Sequence, residues 1–178
     1  MTAGRGAVVE PGRRRREDPE RGASVGYIFG VGREAPLFSL TAHDGSVVSL
    51  SRYRGEWYPV IVFFRCDAPG VEDYLRSLNA AADGLWGVRG QVLAVTTAAA
   101  EEVRGLAARL GSVAIPLLVD ADGAVARLYG AWDARLAACV PLAYIADRAH
   151  KIVWAASGDG ALPPAVSELE GAFRSFVK

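Results

Sequence analysis

Residues 59–82 read PVIVFFRCDAPGVEDYLRSLNAAA, and the two halves of this stretch obey different periods. Residues 59–64 are an unbroken apolar run rich in β-branched and aromatic side chains, the pattern of a strand covered on both faces, and they are expected to form the central strand of a sheet. Val71, Tyr74, Leu75, Leu78 and Ala82 then recur at helical spacing. Asp67 is suited to cap that helix and Pro69 to occupy its first turn. A buried strand therefore feeds an amphipathic helix across residues 65–68, which is the basic joint of an α/β domain.

The same alternation continues on both sides. Upstream, residues 37–40 and 47–50 flank His43-Asp44-Gly45 and read as a hairpin. Downstream, strands are expected at residues 91–96 and 117–119, and helices at 101–110 and 124–129. Residues 142–146 and 151–155 form a second hairpin over the turn at 147–150, and Pro164 opens a last helix with Val166, Leu169, Phe173 and Phe176 facing inward. The expectation is a largely central sheet flanked by helices, with an N-terminal hairpin, over residues 31–178.

Residues 1–30 differ. They are rich in Gly, Arg and acidic residues, lack either period, and read as a flexible tail. Arg13 to Arg16 are followed at once by Glu17, Asp18 and Glu20 and not by an apolar segment, which argues against a secretory or twin-arginine signal and for a solvated mixed-charge tail. The 178 residues balance 20 Lys and Arg against 20 Asp and Glu. Zero net charge disfavours a dedicated nucleic-acid binder. No apolar run reaches the ~18 residues needed to span a bilayer, so no membrane role is expected. Two cysteines cannot staple a chain of this length and suit a reducing compartment, so a cytoplasmic location is expected.

Several phrases resemble one family. VGREAPLFSLTAHDGSVVSLSRYRGEWYPVIVFF, with Gly32, Ala35, Pro36, Phe38, Asp44, Gly45, Leu50, Ser51 and Gly55 in step, is similar to the opening of the peroxiredoxin-like alkyl hydroperoxide reductase and thiol-specific antioxidant (AhpC/TSA) family. PLLVDADGAVARLYG and CVPLAYIADRAHKIVWA resemble its later half. The resemblance implies a thioredoxin-like α/β fold of peroxiredoxin type, with a central mixed sheet flanked by helices. It also implies a reactive cysteine where the central strand meets the first helix, because the helix N-terminus stabilises a thiolate there. Here the sequence departs from the family. Lined up on the family's loop, Ala68 and Val71 stand at its reactive positions, Phe64 replaces a proline, and Pro141 lies near where an arginine polarises the peroxide. Pro69 and Gly70 remain. In the thioredoxin-like branch, Pro141 matches a proline held in the cis form beside the cysteines.

Two cysteines are left to consider. Cys66 precedes the helix, with Arg65 favouring a thiolate and Asp67 opposing one, so it is poorly placed as a nucleophile. The resemblance puts Cys139, two residues before Pro141, on a loop facing Cys66. The pair either forms a redox-responsive disulfide or consists of two ordinary, partly buried thiols. His43 and His150 sit in hairpin turns and do not make a zinc site. Asp120 and Asp122 lack the further ligands of a calcium loop and are expected to shape a turn and cap a helix. Gly158-Asp159-Gly160 lacks the strand-to-helix context of a phosphate site. Trp57, Trp86, Trp132 and Trp154 are expected to pack in the core and at edges. No metal or cofactor is implied.

Three functional readings follow. The favoured one is a family member that has lost thiol-peroxidase chemistry and acts as a binding or structural module. Its protein partner would dock on the tail or on the degenerate loop at Ala68, Pro69, Gly70 and Val71. The second is an antioxidant thiol peroxidase or thiol-disulfide oxidoreductase using Cys66 as a displaced nucleophile. The third, least favoured, is nucleic-acid association through the arginine run. A homodimer is open by resemblance alone.

Overall fold

The computed structural model describes residues 30–177. The tail expected over residues 1–30, with its arginine run, lies outside the described residues except for Gly30. A seven-stranded mixed sheet has the spatial order β2-β1-β5-β4-β3-β8-β9. Its strands are β1 (Ser39–Ala42), β2 (Val47–Ser49), β3 (Tyr58–Phe63), β4 (Gly90–Thr96), β5 (Leu117–Val119), β8 (Leu142–Ala146) and β9 (Ile152–Ser157). β4 runs parallel to β3 and β5, and the remaining pairings are antiparallel. The run at residues 59–64 is thus one place from the middle, which β4 takes. Helices are α1 (Val71–Gly87), α2 (Ala100–Leu110), α3 (Ala124–Leu128) and α4 (Val166–Phe176).

Strand pleating divides the core into two layers. Val60, Val62 and Phe64 of the β3 run, with Val92 and Ala94 of β4, face the layer that holds α1, α2 and α4. Ile61, Phe63, Leu93 and Val95 face the opposite layer, with α3, Tyr129 and Tyr144. Both faces of β3 and β4 are buried, and this explains the continuous apolar sequence. α1 buries Val71, Tyr74, Leu75, Leu78 and Leu85, the aliphatic ones each contributing roughly 1.5–3 kcal/mol relative to exposure.

Several expectations are corrected by longer-range structure. Asp67 does not cap α1, because Arg65 holds its carboxylate in a two-pronged ion pair at 3.0 and 2.7 Å. The N-cap is Gly70, in the left-handed region at φ 80°. The last helix begins at Val166, two residues after Pro164, whose carbonyl accepts the Tyr74 hydroxyl at 3.0 Å. Leu50 leaves the hairpin for a 3-10 turn, Leu50–Tyr53. A two-stranded ribbon, β6 (Trp132–Asp133) and β7 (Ala138–Cys139), is an addition that the sequence reading lacked. Two of the four tryptophans come together, since the Trp57 and Trp86 rings meet at a tilt of 42° with centroids 4.2 Å apart, and Trp86 is 56% exposed rather than packed away.

Candidate functional site

Three segments converge at the carboxyl ends of β3 and β4, where open α/β sheets present their sites. They are residues 64–70 after β3, Thr96 and Thr97 at the end of β4, and the β6–β7 ribbon that delivers Cys139. Phe64 extends β3 by one bond, donating its N–H to the Val95 carbonyl at 3.0 Å. Two tight turns follow. The Ala68 N–H reaches the Arg65 carbonyl at 3.3 Å, and the Val71 N–H reaches the Ala68 carbonyl at 3.1 Å. The turns draw Ala68 and Val71 inward, and each is only 5% exposed, within the cluster formed by Phe64, Tyr74 and Leu75. Pro69 and Gly70 stay on the surface.

Val71 therefore occupies the first position of α1, the place where amide groups and the helix dipole would hold an anion. Its isopropyl group has no ionisable atom. Glu72 and Asp73 follow in the same turn, paired with Arg76 and Arg109 at 2.7–3.4 Å.

Cys66 lies on the rim, lining a cavity of about 210 Å³ with Arg65, Asp67, Thr96, Thr97 and Glu102. Its Sγ is 3.8 Å from Thr96 Oγ1. Burial pushes the thiol up to about 11, against the smaller opposing effect of the Thr96 hydroxyl, and the Glu102 and Asp67 carboxylates raise it further. The help expected from Arg65 is absent because that guanidinium is committed to Asp67, whose carboxyl it holds below the usual range.

Cys139 is deeper, 1% exposed, and burial raises its thiol as well. Its S–H donates to the Phe64 carbonyl at 2.9 Å, and its N–H to Thr97 Oγ1 at 3.0 Å. Both cysteines are free thiols on the same pole of the fold. Pro141 follows in the chain, but the cis peptide implied by the thioredoxin-like resemblance is not found, since every described peptide bond is trans. Its carbonyl accepts the Gly158 N–H at 3.1 Å, prolonging the β8–β9 pairing by one bond.

On the other side of α1, Gly70, Tyr74, Leu162, Pro163 and Val166 line an open cleft of about 490 Å³ with mostly apolar walls. Neither this cleft nor the Thr96-Thr97 pair entered the sequence reading. A polar pair closing an apolar strand was the available signal for the second.

The other candidates take up structural roles. Asp120 accepts the Val125 and Ala126 N–H groups at 3.1 and 2.7 Å, and Asp122 accepts that of Ala124 at 3.0 Å, so both cap α3 as expected. His43 accepts the Leu117 N–H on Nδ1 at 3.2 Å. His150 is fully buried, and neither ring nitrogen has a hydrogen-bond partner. Among the described residues no group of three or more His, Cys, Asp or Glu could hold a metal ion, and no helix is long and apolar enough to cross a membrane.

The AhpC/TSA family profile matches residues 31–155. Similar solved structures include the peroxidoxin BcpB of Mycobacterium tuberculosis, at 19% identity and TM-score 0.74 over 83% of this chain and 98% of that one. AhpC of the same organism gives 14% identity and TM-score 0.74 over 83% and 93% of the two chains. AhpC of Enterococcus faecalis gives 16% and 0.74 over 82% and 90%. At these identities the likeness carries the fold alone. No curated protein matches the sequence.

Proposed function

The chain belongs to the AhpC/TSA family, and from that premise we propose that it is a member without thiol-peroxidase chemistry, acting as a binding or structural module. One observation carries this reading. At the strand-to-helix joint, where the fold can stabilise a thiolate, Val71 is sealed into the core, and the thiol on the rim, Cys66, is pushed up to about 11. Peroxide is attacked by thiolate and not by thiol, so a group protonated in all but about 1 in 10⁴ molecules at pH 7 is a poor nucleophile.

The surface left by this replacement suits docking. Pro69 and Gly70 stay exposed, and the apolar cleft beside them is large enough to accept side chains of a protein partner. Two free thiols support a reducing compartment such as the cytoplasm.

The second reading, catalysis by Cys66, draws its support from the cavity that this residue lines. Trapping of sulfenic acid with dimedone separates the two. Exposure to hydrogen peroxide followed by mass spectrometry should find Cys66 unlabelled under conditions that label an exposed reactive thiol fully. Stoichiometric labelling at Cys66 would overturn the proposal.

A further inference from the structure

A third cavity lies away from the cysteines, between the β1 turn and α2. Thr41 and His43 are two apart on β1 and its turn, so they share a face, and Thr41 is in register with Val119 of β5. Ala100 and Arg104, four apart on α2, close the other side. The cavity measures about 490 Å³.

Its polar groups form a consistent set. Arg104 has no ion pair among the described residues, whereas Arg109, further along the same helix, is bound to Glu72 at 2.7 Å. His43 accepts the Leu117 N–H on Nδ1, so the neutral ring carries its proton on Nε2 and has one donor left. Asp44 also lines the cavity. Its carboxylate is occupied by its own turn, accepting the Ser46 N–H at 2.9 Å and the Ser46 hydroxyl at 2.6 Å. Those bonds keep it ionised, with its pKa below the ordinary value. Val119 and Ala100 supply an apolar wall.

We propose that this cavity binds a carboxylate carried on a short aliphatic chain, with Arg104 and His43 Nε2–H holding the carboxylate and the wall at Val119 covering the chain. A guanidinium matches a carboxylate in fork geometry. A phosphate dianion fits less well, because it carries twice the charge of a carboxylate against the ionised Asp44 in the lining. The site is separate from the cysteine loop and stands whether or not Cys66 is reactive.

The test is a titration of the ¹⁵N-labelled full chain with sodium propionate at constant ionic strength. Saturable shifts should be confined to His43, Arg104 and their neighbours. Propionamide, equal in shape but uncharged, should give none. Arg104→Gln, an exposed change, should weaken binding at least tenfold, and Arg109→Gln should leave it unchanged. A parallel arm with N-acetyl-alanyl-alanine and its C-terminal amide identifies the source. Tighter binding of the free acid than of propionate points to a peptide C-terminus, and the reverse points to a free small acid. Shifts scattered over the surface, equal response to propionamide, or an unaltered Arg104→Gln titration would overturn the proposal.

Discussion

Alkylation of Cys66 by iodoacetamide should be slow at neutral pH and should keep accelerating well into the alkaline range. With the thiol pushed up to about 11, its thiolate fraction at pH 7 is about 10⁻⁴, against about 3 in 100 for a free thiol near 8.5, a deficit of about 300-fold. A more basic thiolate is intrinsically more nucleophilic, and a Brønsted slope of about 0.4–0.5 returns about 10- to 18-fold of that loss over 2.5 units. The net expectation is a rate about 20- to 30-fold below that of free cysteine. The logarithm of the rate should rise by about one per pH unit from 7 to 10. The assay is a timed quench read by peptide mass spectrometry. Cys139 serves as internal reference, since it is 1% exposed and its S–H is bonded to the Phe64 carbonyl, so it should react only on unfolding. A Cys66 rate that levels off below pH 8, or exceeds that of free cysteine at pH 7, would refute the assignment of a desolvated, protonated thiol.

Three further outcomes follow from the packing. Gly158→Ala should cost more than about 2 kcal/mol in urea unfolding. A Cβ there would lie 1.6 Å from the Leu162 carbonyl oxygen, and backbone cannot yield as a side-chain tip can. A loss under about 0.5 kcal/mol would contradict that geometry. Asp120→Ala removes both acceptors from the start of α3 and should cost about 1–2 kcal/mol by the same assay. His150 binds a proton less readily when folded, chiefly through burial and then through Arg54, with Asp147 and Glu34 opposing. The unfolded chain therefore takes up more protons as pH falls below about 6.5, and stability should decline there. His150→Asn should flatten the pH dependence of the unfolding free energy below that point. An unchanged slope would show that His150 is not its source.

The sheet was legible because burial leaves a mark on every residue of a covered strand. The six apolar residues at 59–64 read as a strand buried on two faces, and they are; residues 91–96 read as a strand, and they lie within β4. The first hairpin was legible from Asp44-Gly45, where Gly45 adopts φ 86°. Other features depend on partners far away in sequence. Asp67 looked like a cap until Arg65 claimed it. Trp57 and Trp86 meet because the start of β3 lies beside the end of α1. The sequence places His150 in a turn, and its full burial comes from elsewhere in the chain, since the Ala35 N–H donates to its carbonyl at 2.7 Å and residues 32–35 lie along that turn. The ribbon that carries Cys139 has two-residue strands, too short for any period to show. Within the candidate site, the loss of a thiol at Val71 could be read only through the family resemblance, while the raised thiol of Cys66 comes first from burial and is then modulated by Thr96, which lowers it, and Glu102, which raises it, each at least 30 residues away.

Steady-state consumption of hydrogen peroxide by the full chain with a dithiol reductant tests the central claim most directly, with wild type measured beside Cys66→Ser and Cys139→Ser. The account predicts three equal rates at the level of reductant alone. A wild-type rate well above that background which Cys66→Ser abolishes would contradict it, and would show that the nucleophile has moved from the helix start to the rim of the loop.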